Sequence, residues 1–538
     1  EAVIHENGWS CEIAIPFKSI KYNDNLNEWG FGAGRWISRL KEQHFIGKDI
    51  VSSTKVSQFG RVTNLQLKEL AIKKHTLIPY IQAQFSQGSS PANKAGLDAR
   101  YNPLSNLGFS LTVNPDFATI EADVEQVNLT RFELQYPEKR PFFLEGAENY
   151  STRIRQFYSR RIGKIPWGAK VNGRVGKWNI NGLVTESDPA TAGGSIPEGS
   201  NALYTVFRLN RELKNGSTLG LIGANRSYDN RNSGSVGLAG TFFFTNVLGM
   251  TTQLIKSHGP AESGTWTYFL RPAYDSQFSH FHIRYSHYGR GVKENMNSTG
   301  FIRHDDRREF DTNLRHTFWI NSSGFDSVQP SINYNQYWSQ DNYLRSWSLD
   351  TDIEISLLKK FSAELAYEAD FKAEYAPYFD QDFRNHAWGA ELGYDNKKGF
   401  SANIEYKRGK NYGSSMEVVE GGVELTLLEG WNVTYSAEKT WLNPAEAGEN
   451  SLIHFVRSSY YLTNDLFFKI FYQTKYGLNR FWREPDFELD RKTVQVVVVW
   501  RFLPPFGSFQ LAYQEGTTRH TEEQGQAKTV FTKLSWVF

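Results

Sequence analysis

The chain lacks the features that mark several classes of protein. It has a single cysteine, Cys11, so no internal disulfide can form. No run of about 18 apolar residues occurs, and the longest, Val496 to Val499, is far too short for a membrane-spanning helix. The net charge is only +2, which gives no reason to expect nucleic acid as a partner.

Several sequence motifs are missing as well. The chain shows no phosphate-cradling glycine loop, no zinc-ligand spacing and no nucleophile motif. We therefore expect no cofactor and no bound metal. It also lacks a signal peptide and begins within a strand-like pattern at Glu1, so we expect a mature or trimmed chain.

Aromatic residues are abundant for so polar a chain. Phe (38), Tyr (27) and Trp (15) together make 15% of the residues, although the mean hydropathy is −0.53. Transmembrane β-barrels show this combination, because only alternate residues face lipid and aromatic girdles lie at both interfaces. The composition therefore favours a barrel over a helical membrane protein.

Alternation with a period of two recurs along most of the chain. One face of the last stretch, 528–538, holds Val530, Thr532, Leu534, Trp536 and Phe538. A chain that ends on an aromatic residue in this way resembles the closing strand of a bacterial outer-membrane barrel. Equally clear alternation occurs in 278–288, 360–373, 431–438 and 466–474. A soluble sandwich also alternates, but over about 100 residues rather than over most of a chain this long.

The connections predict the direction and number of the strands. Tight turns, for example near Gly176–Lys177 and Thr463–Asp465, alternate with longer polar loops such as 289–307 and 475–490. Short periplasmic turns and long outer loops are typical of outer-membrane barrels. Counting back from the C-terminus predicts about 24 antiparallel strands over 74–538, within a range of roughly 20 to 26.

Residues 114–163 interrupt this pattern and hold the densest charge in the chain. By strand parity the stretch leaves the outer end of a strand, so it is either a large outer loop or a plug folded into the lumen. Its segment Pro137–Phe143 contains two prolines, whose fixed backbone favours a rigid plug. The charged residues that we expect in a plug or lumen network are Asp116, Glu121, Asp123, Glu125, Arg131, Glu133, Glu138, Lys139, Arg140, Glu145, Arg160 and Arg161.

The same stretch carries a resemblance to a known family. It reads NPDF…EAD…QVNLTRFE…PEKRPFFLEG, followed by YSRRIG at 158–163. These residues resemble the outer-membrane family DUF5916, in which a family-9-like carbohydrate module precedes a C-terminal barrel. The resemblance implies a protein of Bacteroidota, and it says little about activity because some members carry only a general description as membrane-associated hydrolases.

Three acidic residues of this stretch are candidates for chemistry. Glu121, Asp123 and Glu125 alternate, so an extended backbone places neighbouring carboxylates about 7 Å apart on one face. Such groups repel one another unless cations neutralise them. A salt-bridged network that holds a plug is the favoured interpretation. A hard-cation site and a carboxylate pair for glycoside hydrolysis remain open.

The first 70 residues form a different unit. Strands are expected within 8–20, 29–40 and 56–65, and alternation in the first of them predicts that Cys11 lies in a core. The patterns W…E.AIPF and WGF…R resemble the last part of a carbohydrate-binding module of family 9, a β-sandwich.

That second resemblance implies a sugar platform at Trp29 or Trp36. Packing of the same two tryptophans in the sandwich core is the favoured interpretation.

Two smaller groups of polar residues complete the candidates. His280 and His282 share the polar face of one strand, which indicates a histidine pair in the lumen rather than a metal site. The run from Asp305 to Arg308 is expected to be a solvated charge cluster at an outer loop.

Together these patterns predict an all-β protein. We expect a large antiparallel transmembrane β-barrel of the bacterial outer membrane with an internal plug or large loop, preceded by a partial β-sandwich at 1–70 in the periplasm. The predicted function is binding, gated transport or partner docking, related to glycans, with the lumen occluded by residues 114–163. The alternatives are a membrane-associated glycan hydrolase and a structural subunit of an outer-membrane complex. Expected partners are outer-membrane lipids, a carbohydrate ligand, and outer-membrane or periplasmic proteins.

Overall fold

The structure is a computed structural model that describes most of a barrel and parts of the N-terminal unit. The described residues are 2–15, 22, 26–37, 42–46, 59–65, 74–115, 123–124, 126, 132–187, 201–374, 381–396, 398–443, 451–476, 490–504, 506–516 and 528–538. Short paired strands precede residue 66, and a closed barrel follows residue 74.

In the described part of the N-terminal unit, six short strands pair in three two-stranded sheets. They are β1 (Ala2–His5), β2 (Gly8–Cys11), β3 (Trp29–Phe31), β4 (Gly34–Ile37), β5 (Glu42–Phe45) and β6 (Gly60–Val62). β1 pairs with β2, β3 with β6, and β4 with β5, all antiparallel.

Cys11 is exposed, so the prediction that it lies in a core is wrong. Trp9 and Ile13, which alternate with it, are exposed as well. Alternation shows that a strand has two different faces, but burial also needs a second layer on the apolar face. The described residues supply no such layer here.

The rest of the chain forms one closed antiparallel barrel. Its first strands are β7 (His75–Ser86), β8 (Ala92–Leu104), β9 (Leu107–Val113), β10 (Trp167–Val175), β11 (Trp178–Ser187), β12 (Ala202–Glu212), β13 (Thr218–Tyr228), β14 (Arg231–Phe243), β15 (Leu248–His258), β16 (Trp266–Asp275), β17 (Ser279–Tyr288) and β18 (Arg307–His316). It continues with β19 (Phe318–Ser322), β20 (Phe325–Trp338), β21 (Leu344–Leu357), β22 (Phe361–Glu374), β23 (Gln381–Asp395), β24 (Phe400–Asn411), β25 (Ser414–Leu428), β26 (Trp431–Asn443), β27 (Ser451–Tyr461), β28 (Leu466–Tyr476), β29 (Asp490–Leu503), β30 (Gly507–Gly516) and β31 (Lys528–Ser535). β31 pairs back onto β7, with Thr529 opposite Ser86, so the wall closes.

The described barrel has 24 strand positions, which confirms the predicted number. β18 and β19 share one position, because both pair with β20 and only Thr317 separates them. Three of these strands, β7, β8 and β9, precede the charged stretch that begins at residue 114.

Outward and inward side chains alternate in the wall. In β22 and β23, the outward residues Leu365, Trp388 and Leu392 are 61%, 65% and 62% exposed. Glu364 and Glu391, on the opposite parity, face the lumen. Since a closed wall with an apolar outer face satisfies its backbone internally and suits lipid, the protein is a transmembrane β-barrel.

The two ends of the barrel differ in their connections. At the short-turn end, strands are joined by segments such as 176–177 and 323–324. The long-loop end carries loop 289–306 and the insertion between β9 and β10. The Tyr22 N–H donates to the carbonyl of Ser105, in a short turn, at 3.3 Å. The N-terminal unit therefore meets the barrel at its short-turn end.

Helices are few and short in the described chain. They are α1 (Pro141–Leu144), α2 (Val292–Met296) and the 3-10 helices Ala147–Tyr150, Ser159–Arg161 and Lys214–Gly216. No helix of the described residues is long and apolar enough to cross a membrane.

Candidate functional site

The described insertion between β9 and β10, residues 132–166, lies inside the lumen, and we call it the plug. One apolar cluster joins the plug residues Phe143, Tyr150, Ile162 and Ile165 to the wall residues Leu183, Ala202, Tyr204, Val206 and Ala224. These wall residues face the lumen, because the alternate positions Leu203 and Phe207 are exposed on the lipid side. The plug is thus packed against one side of the wall.

Arg140 organises the plug from within. Its guanidinium donates to both carboxylate oxygens of Glu138, at 2.9 and 2.7 Å. It also donates to the backbone carbonyls of Ser159, Ile162 and Gly163, at 2.7, 2.7 and 3.0 Å. Burial alone would raise the pKa of Glu138, but hydrogen bonds and charge attraction from Arg140 outweigh it and lower that pKa to about 2. The ionised pair ties the first half of the plug to the second.

Loop 289–306 also folds into the lumen and packs against the plug, and we call it the inner loop. Its helix α2 buries Val292 and Met296 in a second apolar cluster with the plug residue Ile154. The Tyr158 N–H donates to the Thr299 carbonyl at 2.8 Å. The periodicity of the sequence gave no signal for this contact, because the inner loop is as polar as the other long loops.

Arg161 joins the plug to the inner loop by a charged side chain. Its Nη atoms donate to the Glu133 carboxylate at 2.9 and 2.8 Å, and its Nε donates to the Gly300 carbonyl at 3.1 Å. The guanidinium is nearly buried, whereas the Glu133 side chain is about half exposed. The predicted charges at 133 and 161 are therefore partners in one network.

A glutamine of the wall clamps the plug backbone. Gln253, on the lumen face of β15, accepts from the Ile154 N–H at 3.1 Å and donates to the Ile154 carbonyl at 3.0 Å. The same amide donates to Gln156 Oε1 at 2.9 Å, and Gln156 donates to Ser235 of β14 at 3.1 Å. All these groups are buried, so the clamp satisfies polar atoms that would otherwise be orphaned.

Residues 123–124 of the insertion reach a different part of the wall. Gln473, on β28, donates to the Asp123 carbonyl at 2.9 Å. Val124 packs against the lumen-facing pair Phe455 and Phe471. The insertion therefore contacts β27 and β28 as well as the strands beside the plug.

The Asp123 carboxylate is closed off and paired. Its side chain is 5% exposed, Arg160 donates to it, and Lys139 Nζ lies 3.8 Å from it. A carboxylate held between two cations is a poor general base, because its charge is already neutralised. This arrangement supports a role in holding the insertion in place.

The other predicted members of the network divide into two groups. Glu145 lies 3.3 Å from Arg100 and 4.0 Å from Lys170. Asp116, Glu121, Glu125 and Arg131 lie outside the described residues. Of the predicted acidic trio, the structure therefore places Asp123 alone.

The two histidines predicted in the lumen belong to a hydrogen-bonded chain on its wall. His280 bonds Asp275 at 2.5 Å and His282 at 2.9 Å, and His282 bonds Asp311 at 2.9 Å. Arg284 lies 3.2 Å from the same Asp311 carboxylate. Among the described residues, no group of three His, Cys, Asp or Glu side chains is arranged to hold a metal ion.

Asp306 contradicts the predicted solvated charge run at 305–308. It is largely buried and pairs with Arg345 at 2.6 Å and with Arg290 at 3.1 Å. The neighbouring Arg307 and Arg308 belong to β18 rather than to a loop. The prediction failed because the inner loop turns inward, which brings these charges against the rim of the wall.

A row of six glutamates crosses the lumen wall on consecutive strands, and we call it the glutamate ladder. Its members are Glu354, Glu364, Glu391, Glu405, Glu420 and Glu438, each directly opposite the next across β21 to β26. Directly opposed side chains are about 5 Å apart at Cβ, and like charges there destabilise a sheet. None of the six forms an ion pair with a described lysine or arginine. The ladder leaves no pattern in the sequence, since single glutamates on separate strands align only once the strand register is known.

The predicted sugar platform is only partly described. Trp29, on β3, is half-buried and its ring centroid lies 5.5 Å from that of Tyr22. Trp36 lies on β4, in a different two-stranded sheet, and its side chain is outside the described set. A role for these tryptophans in sugar binding stays a prediction.

Comparison with known families supports the resemblance found in the sequence. Residues 74–182, about a fifth of the chain, match the family described as Domain of unknown function (DUF5916). This range contains β7 to β10, the plug and half of β11, which confirms the resemblance for this part of the chain. The description names no activity. A search of curated proteins gives no match.

Comparison with solved structures gives matches of low similarity. The ferric enterobactin receptor of Pseudomonas aeruginosa is 10% identical, with a TM-score of 0.40 over 86% of this chain and 80% of that one. The FrpB iron transporter of Neisseria meningitidis is 9% identical, with a TM-score of 0.39 over 91% and 86%. The siderophore receptor PirA of Acinetobacter baumannii is 9% identical, with a TM-score of 0.38 over 86% and 80%. Similarities this weak support no inference about what this chain binds.

Proposed function

We propose that the protein is an outer-membrane barrel that passes a solute through its lumen when the plug moves. The observation that carries this proposal is the plug itself, which occupies the lumen and is bonded to the wall through Gln253 and to the inner loop through Arg161. A barrel of this size encloses an aqueous channel unless something fills it.

The ends of the insertion allow the plug to move without opening the wall. Asn114 donates its N–H to the Pro166 carbonyl at 2.6 Å, so both ends meet at the long-loop end. Immediately beside them, β9 and β10 pair directly, with Val113 opposite Trp167. Strand pairing is therefore complete without the plug, and its displacement leaves the barrel closed.

The proposed route past the plug runs along the far side of the lumen. The glutamate ladder faces the lumen, and no described plug residue bonds to any of its six side chains. The wall there is polar and half-exposed, as expected for a surface that contacts water. Passage along β21 to β26 would require the plug to shift rather than to leave.

Single-channel conductance in a planar bilayer tests the proposal. The intact protein is expected to stay closed, and a variant in which a short glycine linker replaces residues 116–164 is expected to conduct. A control that shortens 189–199, another connection at the same end, is expected to stay closed. Steady conductance of the intact protein would overturn the plug as a gate. Silence of the deletion variant, shown to be folded, would instead favour a docking or structural role.

We also propose that the ligand is related to glycans, which rests on the sequence resemblance of residues 8–65 to a carbohydrate-binding module. The half-buried Trp29 is the residue to test, since aromatic faces bind sugar rings. Oligosaccharide binding by the full chain is expected to fall in Trp29→Ala. Unchanged binding in that variant would show that Trp29 does not contribute to oligosaccharide binding. The buried, paired state of Asp123 argues against the rival glycan hydrolase.

A further inference from the structure

A buried arginine of the lumen wall has no counter-charge among the residues that the structure describes. Arg208 lies on β12, in the lumen-facing row that includes Tyr204 and Val206, and is 9% exposed. Its Nη1 atom is buried without a hydrogen-bond partner, and no described carboxylate pairs with it. An arginine stays ionised in proteins, and a charge withdrawn from water is costly unless an opposite charge neutralises it. In the described part of the chain, the charge of Arg208 therefore calls for an anionic ligand.

Other buried polar atoms near Arg208 also lack partners. Asn181 is directly opposite it on β11, and Asn210 follows two residues later on the same face. The Oδ1 atoms of both asparagines are buried and accept no hydrogen bond from described residues. On the plug side, the Tyr150 hydroxyl is buried without a partner, in the same apolar cluster as Val206. Burial raises the pKa of Tyr150, so this hydroxyl remains a hydrogen donor.

A chain of amides fixes the plug over this part of the wall. Asn179 donates to Asn149 Oδ1 of the plug at 3.2 Å, and Asn181 donates to Asn179 Oδ1 at 2.8 Å. Asn179 is the second residue of β11, and Asn210 is two residues from the end of β12. Both positions are close to the short-turn end, and we place the entry of a small ligand at that end.

We propose that Arg208, the Tyr150 hydroxyl and the two asparagine amides bind a hydroxylated anion, of the class of sugar acids and sugar phosphates. The planar guanidinium offers paired N–H groups that match a carboxylate or phosphate. The tyrosine hydroxyl adds a second donor to the same group. The amide oxygens of Asn181 and Asn210 accept from hydroxyls of the ligand, which a bare anion such as chloride lacks. Binding there requires no opening of the lumen and does not depend on the gating proposed above.

Calorimetric titration of the full chain in detergent, at constant ionic strength, tests the site. Galacturonate and galactose 6-phosphate separate the carboxylate from the phosphate, and neutral galactose is the comparison. At least one anionic sugar is expected to bind, and galactose is expected not to bind. Arg208→Gln is expected to weaken binding by about tenfold or more, because it removes a charge-assisted hydrogen bond. Equal binding of galactose, or binding by neither anion, would overturn the proposal.

The matched control is Arg211→Gln. Arg211 lies on the same strand but on the outer face, where its guanidinium is 5.4 Å from the centre of the Trp178 ring. This variant is expected to bind the anionic sugar as the unaltered protein does. Equal losses in the two arginine variants would show that the effect is not specific to the lumen.

A second variant tests the site by supplying the missing charge. Asn181→Asp places a carboxylate directly opposite Arg208. It is expected to raise the melting temperature in ligand-free buffer and to abolish binding of the anionic sugar, since the new carboxylate occupies the guanidinium. Unchanged binding in Asn181→Asp would contradict the proposed site even if Arg208→Gln fails to fold.

Discussion

At the scale of single residues, the plug depends on charges that are paired and withdrawn from water. Arg140 is the clearest case, because its guanidinium binds one carboxylate and three backbone carbonyls. Removing one partner of such a buried pair costs about 3–5 kcal/mol, since the other charge is left uncompensated. The pair therefore holds the plug in one conformation.

Glu138→Gln is expected to loosen the plug at neutral pH. The change removes the negative charge beside Arg140 and leaves that guanidinium buried among neutral groups. Hydrogen–deuterium exchange of the peptide containing α1 is expected to rise by about tenfold or more. Glu148→Gln is the control, because Glu148 is exposed and its carboxylate bonds only to the neighbouring Asn149 among the described residues. Equal protection in both variants would show that the pair does not hold the plug.

The same pair predicts how plug docking depends on pH. The pKa of Glu138 is lowered from 4.5 to about 2, so its contribution is complete above about pH 4.5 and is lost as the pH falls toward 2. By linkage this contribution is about 3 kcal/mol. The unaltered protein is expected not to conduct from pH 7 to 5 and to begin conducting as the pH drops below 4. Opening already at pH 6 would show that groups other than this pair control the gate.

At the scale of structural elements, the clamp on β15 joins the plug to the wall. Gln253→Leu removes the partners of the Ile154 N–H and carbonyl, and each orphaned group costs about 1–3 kcal/mol. Faster hydrogen exchange at Ile154 and brief channel openings are expected, with the barrel still folded. The control is Leu254→Ala, because Leu254 is the next residue on the strand but faces lipid. The channel of this variant is expected to stay closed. If hydrogen exchange at Ile154 stays slow in the Gln253 variant, the clamp does not take part in gating.

The glutamate ladder predicts the ion preference of the lumen. Aligned carboxylates without paired cations attract cations and repel anions over about one Debye length. In a potassium chloride gradient, the plug-deleted barrel is expected to give a reversal potential whose sign shows selectivity for cations over anions. Neutralising Glu364, Glu391 and Glu405 with glutamine is expected to move that potential toward zero. Glu417→Gln, on the outer face of β25, is the control, and anion preference in the deletion variant would contradict the argument.

Elements differed in how far the sequence could predict them. The strands were predictable because the pleat repeats every two residues, as Phe361 to Phe371 in β22 show. The plug has no such period, so its charges were foreseen but their partners were not: Arg161 pairs with Glu133, and Arg160 with Asp123. The glutamate ladder could not be predicted from the sequence, because it depends on strand register rather than on a local pattern.

At the scale of the whole molecule, the lumen is divided into two electrostatic sides. The plug side holds Arg208 and Lys170, and the latter donates to plug carbonyls such as that of Glu145 at 2.9 Å. The glutamate ladder lies on other strands, β21 to β26. A solute with both an anionic group and a cationic group would find complementary charge on opposite sides of the same lumen. Net charge, which is only +2, hides this separation completely.

The orientation of the molecule can be tested with its one native thiol. Cys11 is exposed in the N-terminal unit, which meets the short-turn end through the hydrogen bond from Tyr22 to Ser105. If that end faces the periplasm, a maleimide on a long poly(ethylene glycol) chain is expected to label Cys11 only after the outer membrane is permeabilised. Asn230→Cys in a Cys11→Ser background places the thiol in a turn at the long-loop end, and it is expected to react in intact cells. The reverse labelling pattern would show that the long-loop end faces the periplasm, and the plug would then enter the lumen from that side.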